Sequence, residues 1–329
     1  MISLSRRRVH TGKGFRKLDM RAIAASEALL ESLQQHPKVT IVDKVDVTTF
    51  VNNCRSEYGT LTTVVVSLPT YLDWNTSSPI NEAEAANKKP DRLEAVMQHT
   101  QLIAAYLAHG VNVVVIKPDP SRLEGVYTRD IGFVIGNKCF RANMVANARK
   151  PEQNTVEGAI VPPSEVQIEG GNVLLKDGTD NIVFLGIGRR TNLEAVEWLQ
   201  AQVGTDFEVK PIFLTPETLH IDCAFGPIHE ANGRGSAGLI HPSSFVDPKQ
   251  IELIEKVYGK VHVVSEVEYH RLGANISFID PDTGILPTEC PNVRSILVDH
   301  GIEPIEMVLK AIIDAEGAGR CSTFPLLRE

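Results

Sequence analysis

The sequence lacks the features that mark disulfide-rich, zinc-binding and membrane-spanning proteins. Its five cysteines are widely spaced and include no CxxC pair, so neither a disulfide framework nor a structural zinc site is expected. No run of about 18 apolar residues occurs, which argues against a membrane-spanning helix. The net charge is −8, and this balance argues against nucleic acid as the main partner. We therefore expect a globular, cytoplasmic protein that needs no metal and no cofactor.

The first eighteen residues lack acids, because six basic residues precede Asp19. Such a basic, acid-poor segment is typical of an organellar transit peptide, although it lacks the apolar run of a secretory signal. A plain basic arm is the favoured interpretation, and the transit peptide stays open as the alternative. The sequence also leaves open whether the protein forms a homo-oligomer.

Strands, hairpins and helices alternate along most of the chain. β-branched runs predict strands over 62–68 and 111–116, and apolar periodicity predicts a helix between them over 91–109. Four hairpins are predicted, over 132–140 (turning at Gly136-Asn137), 172–185 (turning at Asp177-Gly178), 219–240 (turning near Asn232-Gly233) and 274–284. Further helices are predicted over 22–33, 191–203 (opened by a Thr191–Glu194 capping box), 247–259 and 305–315.

The hairpins recur at intervals of roughly 40 to 55 residues, a period typical of repeats arranged around an axis or along a solenoid. We therefore predict an α/β fold in which five ββαβ-type units form one closed assembly. Residues 61–329 would form this single catalytic domain, and residues 1–60 would be an N-terminal helical extension. A generic mixed α/β sheet is the alternative, since propensity alone does not exclude it.

Ionisable residues fall at matching points of these units. The motifs are Thr-Arg-Asp at 128–130, Glu-Gly-Gly-Asn at 169–172, His-Ile-Asp at 220–222, and Cys321 behind two nearby glycines. A closed repeat would bring the ends of its strands together at the axis. The motifs are therefore expected to meet at one site.

A cysteine and a histidine in one site indicate nucleophilic catalysis. A thiolate needs a nearby base or a depressed pKa, and His220 has the reference pKa for such a base and later acid. Glu169 could orient the imidazole as the third member of a triad does. The alternatives are that His220 is a core histidine, that Glu169 caps a turn and that Cys321 merely packs.

Two further carboxylates, Asp130 and Asp222, would repel each other in one pocket unless a cation lies between them. A planar guanidinium is such a cation and pairs with carboxylates in forked geometry. The constellation thus suggests a cysteine that attacks the carbon of a clamped guanidinium. Asp130 could instead pair with Arg129. A metal site at 220–223 is disfavoured, because neighbouring strand residues cannot all face one ion.

The four motifs, in this order, resemble the guanidine-modifying superfamily, which comprises arginine deiminases, dimethylarginine dimethylaminohydrolases and amidinotransferases. The resemblance covers about residues 60–329 and implies a five-bladed α/β propeller, the pentein fold. It also implies a covalent amidino-thioether on Cys321, with His220 as acid and base and Glu169 as its orienting partner. Asp130 and Asp222 would hold the guanidinium of the substrate.

The resemblance further implies that Arg149 and Arg190 bind the carboxylate of an amino-acid substrate. Glu124 stands where the superfamily often has Asp or Asn. Deiminases carry a long helical insertion and an additional arginine shortly before the cysteine, and both are absent here. The expected reaction is hydrolysis of arginine to citrulline and ammonia, or on to ornithine. Hydrolysis of methylated arginine, amidino transfer and a binding protein without catalysis are the alternatives.

Overall fold

The computed structural model describes residues 8–11, 14–74, 86, 89–176, 181–230 and 235–329. Within these ranges the strands are β1 Arg8–Thr11, β2 Gly14–Lys17, β3 Val39–Val42, β4 Val45–Asp46, β5 Leu61–Ser67, β6 Asn112–Ile116, β7 Gly132–Ile135, β8 Lys138–Arg141, β9 Val156–Glu157, β10 Val173–Lys176, β11 Ile182–Ile187, β12 Glu208–Phe213, β13 Phe225–Glu230, β14 Gly235–Ile240, β15 Lys260–Val263, β16 Ser277–Asp280, β17 Thr283–Pro287, β18 Glu303–Met307 and β19 Phe324–Arg328. The helices are α1 Met20–Leu33, α2 Arg92–Ala108, α3 Lys150–Gln153, α4 Glu194–Val203, α5 Ile221–Ala224, α6 Lys249–Tyr258, α7 Glu266–Tyr269, α8 Pro291–Asp299 and α9 Lys310–Ile313.

Three sheets share one topology, in which a hairpin is followed by a helix and a parallel third strand. In the first, β10 pairs antiparallel with β11, α4 follows, and β12 pairs parallel with β11. The sheets β13-β14-β15 and β16-β17-β18 repeat this order with α6 and α8 as their helices. These are the ββαβ units that the periodicity predicts.

A fourth sheet has the same pattern but takes its first strand from the end of the chain. β19 pairs antiparallel with β5, and α2 leads from β5 to the parallel β6. Val64 and Val66 of β5 and Leu102 of α2 belong to one buried core cluster. Cys321 lies three residues before β19, so this pairing fixes the position of the proposed nucleophile.

The remaining predicted unit contains the two-stranded hairpin β7-β8, which turns at Gly136-Asn137 as predicted. An isolated parallel bridge joins Phe140 of β8 to Ile160. Over the described ranges, no sheet closes on itself. The architecture is a mixed α/β fold, and the arrangement of five units around one axis stays a prediction.

Residues before position 60 contact the repeated units. β3 pairs parallel with β6, and β4 pairs parallel with β9. Leu29 and Leu30 of α1 pack against the core cluster that contains β5 and α2. The division of the chain at residue 60 stays a prediction. None of the helices in the described part of the chain is long and apolar enough to cross a membrane.

Three predicted elements differ from the structure. The helix predicted over 305–315 is the strand β18 followed by the short α9, because residues 303–307 pair with β17. The strand predicted from Leu219 begins only at Phe225, since α5 precedes it. The predicted capping box is absent: Leu193 is the N-cap of α4 and forms no side-chain cap hydrogen bond. The predicted turns at 177–178 and 232–233 lie outside the described residues.

Candidate active site

The three predicted catalytic residues and the predicted substrate-binding Asp130 each lie close to the start of a regular element. Asp130 precedes β7, Glu169 precedes a 3-10 turn that leads into β10, and His220 precedes α5. Cys321 lies shortly before β19. All four side chains are buried, and the distances below show that they lie together.

Backbone hydrogen bonds hold the nucleophile segment against two other motifs. The Arg129 N–H donates to the Cys321 carbonyl at 3.0 Å. The Cys321 N–H donates to Asn275 Oδ1 at 3.1 Å, and Asn275 Nδ2 donates to the Asp222 carbonyl at 3.1 Å. Asn275 therefore ties the nucleophile to the His-Ile-Asp motif. No local sequence signal marks Asn275, because its partners lie far away along the chain.

His220 lies between two carboxylates. Its Nε2 is 2.9 Å from Glu169 Oε2, and its Nδ1 is 3.7 Å from Asp130 Oδ1. The first contact is the orienting hydrogen bond expected of a triad. The position of the imidazole also explains why residue 171 is a glycine, because a Cβ on Gly171 would lie 2.7 Å from His220 Cγ. The space beside this glycine is thus filled by the histidine of the chain.

The carboxylate and imidazole shift each other's pKa. Burial raises the pKa of Glu169, but Arg190 and the hydrogen-bonded His220 outweigh burial and lower it to about 2. Burial lowers the pKa of His220, but the charges of Asp130, Glu169 and Asp222 outweigh burial and raise it. The pair therefore favours an ionised Glu169 beside an imidazole that holds its proton to a higher pH than usual.

The two carboxylate oxygens of Asp130 differ in their hydrogen bonds. Its Oδ2 accepts from Arg149 Nη1 at 2.7 Å, and its Oδ1 is buried without a hydrogen-bond partner among the described residues. Burying such an acceptor is costly unless a donor reaches it. A pairing of Asp130 with Arg129, the alternative interpretation, does not occur among the ion pairs of the described chain.

Asp222 lies against both thiols of the site. Cys321 Sγ is 4.0 Å from its Oδ2, and Cys223 Sγ is 3.6 Å from its Oδ1. Arg320 Nη1 donates to the same Oδ2. A guanidinium of the chain itself therefore already contacts the acid that the sequence assigns to the guanidinium of the substrate.

Arg149 and Arg190 are both buried against acids. Arg149 Nε donates to Glu152 Oε2 at 2.8 Å and lies 3.5 Å from Glu124 Oε2. Arg190 Nη1 donates to Glu169 Oε2 at 3.1 Å. These contacts place both arginines and Glu124 at the site. Binding of a substrate carboxylate by the two arginines stays a prediction.

Asp130, Glu169 and His220 also bring ligand-type atoms within 4.8 Å of one another, close enough for a metal ion. Arg149 and Arg190 bind the same two carboxylates. A metal cation at this point would compete with two guanidinium groups for these oxygens. The cluster is thus already charge-compensated by the chain itself.

A cavity of about 400 Å³ borders the site. Its lining includes Cys223, Arg189, Tyr269, Leu272 and Glu316. Leu272 and Glu316 have φ values of 56° and 67°, and they are the non-glycine residues of positive φ in the described chain. Strained backbone of this kind clusters at ligand sites. The cavity reaches the site through Cys223, whereas Cys321, His220 and Glu169 are not among its described lining residues.

Sequence comparison identifies the family of the chain. A family model described as N,N dimethylarginine dimethylhydrolase, eukaryotic, matches residues 68–232, about half of the chain. The chain belongs to this dimethylarginine dimethylhydrolase family, within the guanidine-modifying superfamily. The Uncharacterized protein YkgA of Bacillus subtilis (strain 168) is 32% identical over 285 residues, which are 84% of this chain and 95% of YkgA.

Solved structures resemble this family member at lower identity. The N-terminal domain of ArgZ, an arginine dihydrolase from the Ornithine-Ammonia Cycle in Cyanobacteria, superposes with a TM-score of 0.71 at 21% identity. That match covers 81% of this chain and 97% of the ArgZ domain. SxtG, an amidinotransferase from Microseira wollei, gives a TM-score of 0.64 at 19% identity over 84% of this chain and 97% of SxtG. At this identity the likeness shows the fold alone.

Sequence reasoning also missed Arg320, which contacts the acid next to the nucleophile, and Glu57, which binds Arg320. Arg320 binds Asp222, and its Nε and Nη2 also donate to Glu57 Oε2 at 3.0 and 2.9 Å. Arg320 Nη2 donates further to the Val173 carbonyl at 3.0 Å. Arg320 was visible as the neighbour of Cys321. No sequence signal marked Glu57, which lies in the predicted N-terminal extension.

Arg320→Met is expected to lower the free energy of unfolding by about 3–5 kcal/mol, the cost of removing one partner from a buried ion pair. Glu57 and Asp222 would be left buried without their guanidinium. Urea unfolding at pH 7 measures the change. The matched control is Lys310→Met, which removes an exposed ion pair with Asp314 and should cost about 0–1 kcal/mol. Equal effects of the two changes would contradict the importance of the buried pair.

Glu169→Gln is expected to make the free energy of unfolding depend less on pH in the acid range. The pKa of Glu169 is lowered in the folded protein from 4.5 to about 2. Its ionised form therefore contributes stability that is complete above about pH 4.5 and is lost as the pH falls toward about 2. Unfolding free energies measured from pH 2 to 6 test this. Exposed Glu165→Gln serves as control, and a variant profile as steep as that of the unchanged protein would contradict the prediction.

Proposed function

We propose that the protein is a cysteine hydrolase that attacks the guanidinium carbon of arginine or an arginine derivative. The observation that supports this most is the set of acids around Cys321 and His220. Asp130 has a buried oxygen without a hydrogen-bond partner, and Asp222 lies 4.0 Å from Cys321 Sγ. A guanidinium matches such acids in both charge and donor geometry.

The reaction proceeds in two steps on one thiol. The Cys321 thiolate attacks the guanidinium carbon, and the tetrahedral adduct expels ammonia after His220 delivers a proton to it. The result is an amidino-thioether on Cys321. Water then attacks the same carbon while His220 accepts its proton, and collapse releases the thiolate and a urea-type product. With arginine that product is citrulline.

The neighbours of His220 fit both of its roles. Its pKa is raised by Asp130, Glu169 and Asp222 against the effect of burial, which favours the proton-donating form in the first step. The hydrogen bond to Glu169 orients the ring. Asp130 would accept hydrogen bonds from the substrate guanidinium, and Asp222 would share its charge between Arg320 and the substrate.

Arginine as the substrate is supported by Arg149 and Arg190, which lie near these acids, and by the fold that the chain shares with the ArgZ domain. A further hydrolysis of citrulline would give ornithine. Dimethylarginine is the second candidate substrate, because the family that matches the chain carries that name. Amidino transfer to an amine and binding without catalysis are further outcomes of the test below.

A substrate assay distinguishes these candidate functions. The purified protein is incubated with arginine, monomethylarginine, dimethylarginine and agmatine, and the products are identified by mass. Citrulline with ammonia, or ornithine, supports the proposal. Methylamine or dimethylamine as the favoured product assigns the second candidate, and a new guanidino compound formed only with added amine assigns transfer. Calorimetric binding without any product indicates a binding protein and overturns the proposal.

A further inference from the structure

Two cysteine thiols meet at Asp222. Cys223 Sγ is 3.6 Å from one carboxylate oxygen and Cys321 Sγ is 4.0 Å from the other. Both side chains are buried in the same core cluster, with exposed fractions of 6% and 3%. The two thiols therefore contact the two oxygens of one buried carboxylate.

The other cysteines are set apart from this pair. Cys54 and Cys139 belong to a second core cluster and Cys290 to a third. Burial raises the pKa of each of these three thiols to about 12. None of the three belongs to the core cluster that contains Cys223 and Cys321.

Cys223 has no part in the proposed hydrolysis, but it connects the pair to the outside. Its side chain lines the cavity of about 400 Å³. The hydrogen bond to Cys321, together with burial, raises the pKa of Cys223 well above its usual value. Cys223 thus keeps its proton, and Cys321, the proposed nucleophile against the same carboxylate, is the thiol expected to react first with an oxidant.

We infer that Cys223 and Cys321 form a hydroperoxide-modification site, in which Cys321 is oxidised to a sulfenic acid and Cys223 converts it to an intramolecular disulfide. The loss of turnover on oxidation rests on the proposed role of Cys321. Formation of the disulfide does not rest on it. A neighbouring thiol is what distinguishes reversible oxidation from the irreversible sulfinic state.

The reaction balances with the hydroperoxide as the only oxidant. The Cys321 thiolate attacks the distal oxygen, the O–O bond breaks, and the alkoxide or hydroxide leaves with a proton as alcohol or water. The Cys223 sulfur then attacks the sulfenic sulfur and expels hydroxide, which takes the Cys223 proton and leaves as water. Two thiols are oxidised, and one peroxide is reduced. An added dithiol reverses the change.

Peptide mapping tests the inference on the whole folded protein. The protein is treated with hydrogen peroxide, free thiols are blocked with iodoacetamide, and the digest is analysed without reduction. The expected product is a linked peptide pair carrying Cys223 and Cys321, about 2 Da lighter than the two free peptides. Cys321 found with a gain of about 32 Da and no linked pair would overturn the inference.

Two variants show whether the link is specific. In Cys223→Ser the linked pair should be absent, and peroxide should drive Cys321 to the sulfinic state, which dithiothreitol does not reverse. In Cys290→Ser, a buried thiol outside the site, the linked pair and its reversal should remain as in the unchanged protein. Full recovery of the Cys321 thiol by dithiothreitol in peroxide-treated Cys223→Ser protein would contradict a resolving role for Cys223.

The outcome also separates this inference from the proposed function. A linked pair in a protein that turns over no guanidino compound leaves the modification site standing and removes the hydrolase proposal. Turnover without a linked pair does the reverse. Circular dichroism before and after peroxide shows that the mapped protein is folded, and a pair that appears only after unfolding would overturn the inference.

Discussion

Cys321→Ala is expected to lower kcat/KM on the substrate by about 10⁴-fold or more, the scale on which loss of a triad member acts. No covalent intermediate forms without the sulfur, and no neighbouring group replaces it. His220 already hydrogen-bonds to Glu169, and Cys223 keeps its proton because its pKa is raised. Steady-state kinetics that follow the formation of the product identified in the substrate assay measure the loss of kcat/KM.

Cys290→Ala is the matched control for this change. It removes an equally buried thiol from a different core cluster, so its turnover should stay close to that of the unchanged protein. Urea unfolding shows whether the Cys321 variant is still folded. A folded Cys321→Ala protein with more than a trace of activity would show that the covalent mechanism is wrong.

Agmatine, which is arginine without its carboxylate, is expected to be used about 10⁴-fold less efficiently than arginine if Arg149 and Arg190 bind that carboxylate. A site built for a polar group rejects the analogue that lacks it, because its own polar groups are left unpaired. Because Glu152 and Glu169 would remain as partners of these arginines, the factor of about 10⁴ is the upper end of the expected range. The ratio of kcat/KM for the two substrates measures the discrimination.

The adjacent pair Arg189 and Arg190 offers a matched comparison. Arg190 is buried against Glu169, whereas Arg189 is exposed and lines the cavity. Arg190→Ala should reduce the ratio of kcat/KM for arginine to that for agmatine, and Arg189→Ala should leave this ratio unchanged. The reverse result would place the carboxylate site at the cavity, and similar kcat/KM for both substrates in the unchanged protein would rule out the clamp.

Local sequence patterns predicted most of the repeated units, because strand propensity and hairpin turns depend on residues that are close together along the chain. The Gly136-Asn137 turn and the strands β5 and β6 lie where the β-branched runs and turn residues indicate. The predictions failed where a distant partner outweighed local propensity. The Thr191 hydroxyl accepts from the Glu169 N–H and Asn172 Nδ2 rather than capping a helix, and β18 pairs with β17.

The sequence by itself determined the chemistry available to this protein and its family, since motif order and residue type are properties of the chain alone. Only the tertiary structure decided which partner each charge has. Arg320 binds Asp222 and Glu57, which are 98 and 263 residues away along the chain, and Cys223 and Cys321 both lie against Asp222. Such contacts have no local signature in the sequence, because the partners are brought together only by folding. A buried charge without a partner costs several kcal/mol.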